Sequence, residues 1–497
     1  SALARRLSVP YPTFLALGGI VIAFLPNSPN WALDPELALA LFVAPVLVDA
    51  AFDASLRDLR DNWLPVTMLV LAAVGVTTLA VAVVAHWLVP DMPWAAAIAL
   101  GAIVAPPDAA AATAILRSVR LPFRILKILE GESLLNDASA LLIYRVAVAA
   151  AMASSLRVES VAPALTVALI GSLIVGYALA KVTLPLLGRI NDVPTSIIMQ
   201  FATTFLVWIA AEKLQLSAIL TIVVYAITVA RSAPVFMNAR LRVPSYAVWE
   251  TVVFLLNVMA FVLIGMQLRP IWSELGEGAI RQQYCIVAGI VLATVIMARI
   301  IWMMCYITVV RAKFLRYGYN PERKSGVPSI KSSLLISWCG MRGIVTLAAA
   351  FALPENFPYR DLILLTAFGV VLGTLVIQGL TLRPLIIWFA LDDDDPVSHE
   401  IGWARRAAFH AALEAIDGNI SPEAELLRLE YRQLLDKAEN NPDGLTTSEL
   451  PADQLRLQAI EAARRVLFDM RNSGEIGDDA FHQLEQEFDR AELNAAG

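Results

Sequence analysis

Long apolar runs recur along most of this chain, and they constrain its fold more than any other feature. About twelve runs of roughly 17–25 residues follow one another, each long enough to cross about 30 Å of hydrocarbon. Backbone groups in lipid must be satisfied within the spanning segment, so such runs form helices. Only 16% of the residues are charged and 58% are hydrophobic, which is unlike a soluble chain. The sequence therefore predicts an all-α polytopic membrane protein.

The predicted spans are separated by proline, glycine and charged residues. Their approximate bounds are 11–26, 36–53, 64–89, 93–116, 128–154, 160–186, 194–212, 216–230, 246–268, 280–310, 329–353 and 361–391. After an acidic run at 392–395 the chain becomes charge-rich, with apolar residues at three- and four-residue spacing. We therefore expect a transmembrane domain over residues 1–391 and a helical tail over residues 392–497.

The loops between the spans predict the orientation in the membrane. Basic residues cluster in alternate loops: Arg5 and Arg6; Arg57 and Arg60; Arg117, Arg120, Arg124 and Lys127; Arg231, Arg240 and Arg242; and Arg311, Lys313, Arg316, Arg323, Lys324 and Lys331. Loops rich in Lys and Arg face the cytoplasm. We therefore expect a multi-pass membrane protein with a cytoplasmic C-terminus.

Two spans contain residues that break a helix. Span four contains Pro106-Pro107-Asp108 and span eleven contains Gly340-Met341-Arg342-Gly343. Broken backbone at membrane depth is tolerated only where it is buried in protein or lines a cavity. The two spans are an odd number apart and run in opposite directions, which is typical of transporters built from inverted repeats. Counted back by the same seven spans, span seven would pair with a span that precedes span one. We therefore expect one further helix before this sequence, about thirteen in all.

Ionisable residues inside spans are costly and often functional. Four spans carry one at a similar depth, roughly 12–17 Å from the cytoplasmic edge at 1.5 Å per residue. These residues are Asp49, Asp108, Asp137 and Arg342. A shared depth predicts one charged layer. As structural alternatives, Asp108 can cap the broken helix, while Asp49 and Arg342 can compensate other charges.

Span five brings several polar groups to this layer. Ser133 and Asp137 are four residues apart and share a helix face, and Glu132 and Asn136 share the adjacent face. The first face offers a hydroxyl and a carboxylate, and the second can hold a hydrogen-bonded network.

These groups, with those of broken span four, suit an alkali cation. The carboxylates of Asp108 and Asp137, the hydroxyl of Ser133 and the backbone carbonyl of Pro107 are the oxygen ligands that hard cations prefer. A buried carboxylate can bind either a cation or a proton, because an isolated buried charge is costly. We therefore expect an alkali-cation site at Asp137, Asp108 and Ser133 at which the cation and H⁺ compete.

The motifs resemble the sodium/proton antiporters of the monovalent cation/proton antiporter superfamily. The run Gly131–Asp137, the Asp108 of the broken span and Met341-Arg342-Gly343 carry this likeness. Residues 45–51 are also similar, with Asp49 where these proteins usually carry Glu. A single Asp after Asn136 resembles the electroneutral branch, which includes bacterial relatives of the animal sodium/hydrogen exchangers.

The resemblance implies roles for the site residues and an assembly. Asp137 would be the carrier of ion and proton, and the residues that structure the site would be Glu132, Asn136, Arg342 and Asp49. The cation bound at Asp137, Asp108 and Ser133 would be Na⁺. Glu132 or Asp49 would be the partner of Arg342. The protein would be a homodimer, with a mobile core that includes residues 36–154 and 280–353 and a dimerisation part formed by the remaining helices.

One position departs from the pattern of these antiporters. Relatives often carry Thr where Pro107 stands, so a hydroxyl is lost while the backbone carbonyl remains. The choice among Na⁺, Li⁺ and K⁺ is therefore left open.

The expected function is electroneutral, elevator-type exchange of Na⁺ for H⁺ in pH homeostasis. K⁺/H⁺ exchange by the same fold, a cation channel and a membrane sensor that signals through its tail are the alternatives. A channel would need a continuous polar pore, whereas the spans carry one compact charged layer. Neither an enzyme activity nor a cofactor is expected, and the net charge of −6 argues against a nucleic-acid partner.

Overall fold

The apolar runs fold as helices that end at the proline, glycine and polar residues between them. The computed structural model describes residues 10–26, 35–54, 57, 60, 62–108, 123–152, 158–275, 278–317, 329–389, 396–418, 421–440, 451–473 and 478–495. Seven of the described helices are long and apolar enough to cross a membrane alone, and four other apolar helices have 10–17 residues.

The membrane part begins with α1 (Tyr11–Ala23), α2 (residues 35–53), α3 (Trp63–Leu88), α4 (Trp94–Val104), α5 (Phe123–Met152), α6 (Val158–Leu187) and α7 (Val193–Lys213). It continues with α8 (Ala218–Phe236), α9 (Ala239–Met266), α10 (Leu268–Glu274), α11 (Ala279–Tyr317), α12 (Ile330–Trp338), α13 (Ile344–Phe351) and α14 (Arg360–Phe389). The described part contains helices and no strands. The predicted all-α polytopic fold is therefore confirmed.

The helix ends follow local sequence signals. Asp192 caps α7, because its carboxylate accepts hydrogen bonds from the Thr195 hydroxyl at 2.7 Å and the Thr195 backbone N–H at 3.0 Å. These hydrogen bonds hold the pKa of the Asp192 carboxyl below its usual value. Helix α9 starts seven residues before the predicted span and passes through Pro244. Pro244 is still near the start of α9, so the hydrogen bond that it removes lies in the first turns.

Both predicted helix breaks lie where the sequence placed them. Helix α4 ends at Val104, and residues 105–108 are not helical. Residues 109–122, which include the rest of predicted span four, lie outside the described part of the chain. Residues 339–343 separate α12 from α13.

The buried side chains of the membrane part form two large clusters. The main cluster is built chiefly from α3, α4, α5 and α11–α14. The second cluster is built from α2 and α6–α9. Helices α2 and α3 each contain a π-helical turn, at Leu39–Val43 and Met68–Ala73. Such turns shift the hydrogen-bond register and are frequent at functional sites.

The chain divides into two compact units, Ser1–Asp393 and Asp394–Gly497. The second unit contains α15 (Pro396–Ile416), α16 (Pro422–Asn440), α17 (Pro451–Asn472) and α18 (Asp478–Ala495). Within it α15 packs against α16, and α17 packs against α18. Arg464 of α17 pairs with Asp489 and Glu492 of α18.

The backbones of helices α1 and α9 contact each other at two glycines, Gly19 and Gly265. A side chain at Gly19 would overlap the Val262 carbonyl, and one at Gly265 would overlap the Ala16 carbonyl. Gly18, the neighbour of Gly19, has open space around it. The two backbones can therefore touch only because neither glycine has a Cβ.

We expect Gly19→Ala to destabilise the protein by about 1–3 kcal/mol, because the added methyl group would force the two backbones apart. Thermal unfolding of the purified protein in detergent measures this change. Gly18→Ala is the matched control and should leave the unfolding temperature unchanged or slightly higher. Equal loss of stability in both variants would contradict the proposed close contact.

Candidate cation-binding site

Helix α5 carries the residues of the predicted site on two adjacent faces. Glu132 and Asn136 are 1% and 0% exposed, whereas Asp137 is partly exposed. The Asn136 side-chain amide donates a hydrogen bond to Glu132 Oε1 at 3.0 Å. The side chain of Ser133 lies outside the described atoms, so its role as a ligand stays a prediction.

A buried ion pair fixes Glu132. Arg299 of α11 donates from Nη1 to Glu132 Oε1 and from Nη2 to Glu132 Oε2, the latter at 2.7 Å. The same guanidinium reaches the backbone carbonyls of Ile336 and Ser337 at the end of α12, both at 3.2 Å. Arg299 is only 3% exposed. The pair therefore joins α5, α11 and α12 in the core of the main cluster.

Arg299 was missed when the sequence was interpreted, although a signal for it exists. It is an isolated arginine inside the apolar run at 280–310. It lies twelve residues before Arg311, roughly 18 Å deep at 1.5 Å per residue. The depth argument that selected the four other charged residues would have selected Arg299 too.

The fully buried side chain of Arg342 binds the broken end of α4. Its Nε and Nη2 donate to the carbonyls of Val104 and Ala105, both at 3.0 Å, and its Nη1 donates to the carbonyl of Gly340. The described hydrogen bonds of the Arg342 guanidinium go to these backbone carbonyls and Glu132 pairs with Arg299, so compensation of Glu132 or Asp49 by Arg342 stays a prediction. The last carbonyls of a helix lack helical partners and carry partial negative charge, which a guanidinium satisfies.

The two helix breaks are in direct contact. The backbone N–H of Asp108 donates to the Met341 carbonyl at 2.6 Å. A Cβ at Gly343 would overlap the Asp108 carboxylate, so that carboxylate lies against the Gly343 backbone. On the other side, the Thr374 hydroxyl of α14 accepts the backbone N–H of Arg342 at 3.1 Å. The crossing is therefore held by backbone and side-chain hydrogen bonds together.

Asp137 completes the site from α5. Its carboxylate and that of Asp108 are close enough to repel each other. One turn of helix α5 is also anchored next to Asp137, because the Ser139 hydroxyl donates to the Val70 carbonyl in the π-helical turn of α3 at 2.9 Å. Asp108 and Arg342 thus lie at the crossing, and Asp137 is close enough to interact electrostatically with Asp108. Pro107 is buried beside them, and the use of its carbonyl as a ligand stays a prediction.

Asp49 has different surroundings. It is on α2, in the second cluster, and it lines a cavity formed with α6–α9. The described lining of that cavity includes neither Asp108 nor Asp137. The predicted depth of Asp49 is similar to that of the other charged residues, but depth does not determine which neighbours a side chain meets.

Two helices that break inside an apolar bundle and contact each other at the breaks, with a carboxylate at the contact, are typical of polytopic membrane transporters. Residues 1–388 match the family model for the transmembrane sodium/hydrogen exchanger. The chain therefore belongs to the sodium/hydrogen exchanger family, and the predicted membership of the cation/proton antiporter superfamily is confirmed.

Two relatives similar over most of the chain are named as antiporters. The chain is 28% identical to the sodium, potassium, lithium and rubidium/H⁺ antiporter of Bacillus pumilus, over 98% of this chain and 74% of that protein. It is 27% identical to the low-affinity Na⁺/H⁺ antiporter NhaS1 of Synechocystis, over 86% of this chain and 79% of that protein.

A solved structure shares the fold. The sodium proton antiporter MjNhaP1 from Methanocaldococcus jannaschii superposes with a TM-score of 0.60 at 17% identity. The superposition covers 78% of this chain and 94% of that protein.

We expect Arg299→Met to destabilise the protein by about 3–5 kcal/mol, because it leaves the buried Glu132 carboxylate without its cation. The double variant Arg299→Met/Glu132→Gln should lose less than the sum of the two single variants, since it removes both charges. Lys127→Met is the control, because it breaks a partly exposed pair with Glu130 on the same helix. That control should cost less than about 1 kcal/mol by thermal unfolding. Additive losses in the double variant would contradict a coupled pair.

Proposed function

We propose that this protein exchanges Na⁺ for H⁺ across the bacterial inner membrane, with Asp137 as the shared carrier of cation and proton. The observation that carries the proposal is the contact of the two broken helices at Asp108, with the Asp137 carboxylate of α5 close enough to be repelled by that of Asp108. Membership of the sodium/hydrogen exchanger family supports the reaction.

The hydrogen bonds around the crossing explain why Asp137 is the candidate carrier. Glu132 is neutralised by Arg299, and the described hydrogen bonds of the Arg342 guanidinium go to backbone carbonyls. Among the described residues, no hydrogen-bond or ion-pair partner of Asp137 is found. The charge at this position is therefore the one that a transported ion can neutralise.

Competition between the two ions follows from electrostatics. Two nearby carboxylates are costly to keep charged in a water-poor site, and either a bound proton or a bound cation offsets this cost. A site that binds one or the other, and opens to one side at a time, couples their movements in opposite directions. If one carboxylate exchanges one Na⁺ for one H⁺, each cycle moves no net charge.

Packing supports a division between a moving and a static part. We propose that the main cluster, with α3–α5 and α11–α14, moves as an elevator against the second cluster in a homodimer. The contacts of α2 with α7, α8 and α9 favour its assignment to the static part rather than to the core. The basic loops favour an orientation with the C-terminal unit in the cytoplasm.

A second candidate is exchange of K⁺ for H⁺ at the same site. The names of the Bacillus relatives include potassium, lithium and rubidium beside sodium. Such antiporters often carry Thr where this chain has Pro107, so one hydroxyl ligand is lost here. Fewer oxygen ligands favour a site that discriminates less between Na⁺ and K⁺. Na⁺, Li⁺ and K⁺ are therefore all to be compared as substrates.

We expect Asp137→Asn to abolish exchange, because an amide can neither release a proton nor neutralise a cation. In everted vesicles with an imposed pH gradient, added Na⁺ should dissipate the gradient with the native protein. With Asp137→Asn the response should fall to that of vesicles without the protein. Asp361→Asn removes an exposed carboxylate at the start of α14 and should exchange normally. Persistent exchange by Asp137→Asn would exclude Asp137 as the carrier.

A further inference from the structure

Gly343 borders the candidate cation site at the contact between the two helix breaks. A Cβ built on its backbone would overlap the Asp108 carboxylate. Apart from the chain neighbours of Gly343, the three atoms nearest to such a Cβ are Oδ2, Cγ and Cβ of Asp108. The space that a side chain at position 343 would occupy is therefore filled by one other side chain, and that side chain is a predicted cation ligand.

Neither backbone conformation nor helix capping explains a glycine at this position. Gly343 has an extended backbone with a φ of −140°, outside the left-handed region for which glycine is favoured. It is also the N-cap of α13, where Asn, Asp and Ser stabilise a helix at least as well as glycine does. What glycine provides here is room for the Asp108 carboxylate.

The chain around Gly343 holds Asp108 at two points. The Asp108 backbone N–H donates to the Met341 carbonyl at 2.6 Å, and the Asp108 carboxylate packs against Gly343 two residues later. Arg342, between these two residues, donates to carbonyls at the broken end of α4. Backbone contacts with residues 341–343 therefore set where the Asp108 oxygens lie relative to α13.

The choice among cations depends on where the oxygen ligands lie. Selectivity between cations of different size is set by the size of the oxygen cage, the number of ligands and their rigidity. The carboxylates of Asp108 and Asp137 are close enough to repel each other, so one cation near both would be attracted by both. A shift of about 1 Å in the Asp108 oxygens would change which cation fits the two carboxylates best.

We propose that Gly343 is a specificity-determining residue for cation exchange. Because it lacks a side chain, the Asp108 carboxylate can lie against α13, and this placement sets the size of cation that the site prefers. The inference rests on the proposed exchange, since it takes Asp108 as a cation ligand. In Gly343→Ala the added methyl group would rotate the Asp108 carboxylate away from α13, whereas Asp137 would keep its place on α5.

Exchange of Li⁺, Na⁺ and K⁺ for H⁺ in everted vesicles measures the effect. Gly343→Ala should raise the half-saturating Na⁺ concentration about tenfold, because a misplaced ligand weakens binding, and should change the maximal rate by less than about twofold. The ratio of the half-saturating concentrations for K⁺ and Na⁺ should change by about threefold or more. Gly171→Ala on α6 is the matched control, because its methyl group would overlap the end of the Leu216 side chain instead. It should leave this ratio unchanged.

A double-mutant cycle ties the effect to Asp108 and guards against a folding artefact. Asp108→Ala removes the carboxylate that the added methyl group would meet. Gly343→Ala should therefore lower the unfolding temperature of the native protein in detergent but not that of the Asp108→Ala variant. Gly171→Ala should lower both by the same amount. If Gly343→Ala alone does not fold, the double variant should still fold as Asp108→Ala does.

Two results would overturn the proposal. One is an unchanged ratio for K⁺ and Na⁺ in Gly343→Ala, and the other is an equal loss of stability from Gly343→Ala with and without the Asp108 carboxylate. Absence of exchange by the native protein with all three cations would contradict the proposed function itself. Failure of the inference alone would leave native exchange intact, so the two failures are distinguishable.

Discussion

Backbone N–H and carbonyl groups inside a membrane need hydrogen-bond partners within the protein, and this requirement determines the structure around the two helix breaks. Breaking α4 after Val104 leaves carbonyl groups without helical partners at a depth where water is scarce. Arg342 donates to two of these carbonyls, and its own backbone N–H is held by Thr374. The hydrogen bond from Asp108 to the Met341 carbonyl closes the crossing. The broken helices are thus a stable junction and not a local disorder of the chain.

Electrostatic pairing around this junction leaves one carboxylate for function. The Glu132–Arg299 pair joins three helices and cancels two buried charges. Arg342 is committed to backbone carbonyls, and its positive charge lies beside the negative end of α4. Asp137 and Asp108 then lie close enough to repel each other. A scaffold with its other charges satisfied in this way can tolerate the binding and release of a cation at Asp137.

Much of the fold followed from the sequence, because hydropathy and proline report directly on helices in lipid. The spans, both breaks and the depth of Asp108 and Asp137 were predicted from local patterns. The partner of Glu132 was not, since Arg299 is 167 residues away and helix rotation cannot be derived from hydropathy. The same limit explains why the backbone partners of Arg342 were not predicted. It also explains why Asp49, which has a similar predicted depth, was grouped with residues outside its own cavity. Depth is encoded locally, whereas contacts depend on packing between distant helices.

The most direct test of a shared carrier is the number of protons released when Na⁺ binds. Calorimetric titration of the purified protein with Na⁺, in buffers of different ionisation enthalpy, measures this number. Binding to the native protein should release protons, and Asp137→Asn should show no release linked to Na⁺. Sodium binding to the native protein without proton release would contradict competition at one carboxylate. The same release in Asp137→Asn would show that another group carries the proton.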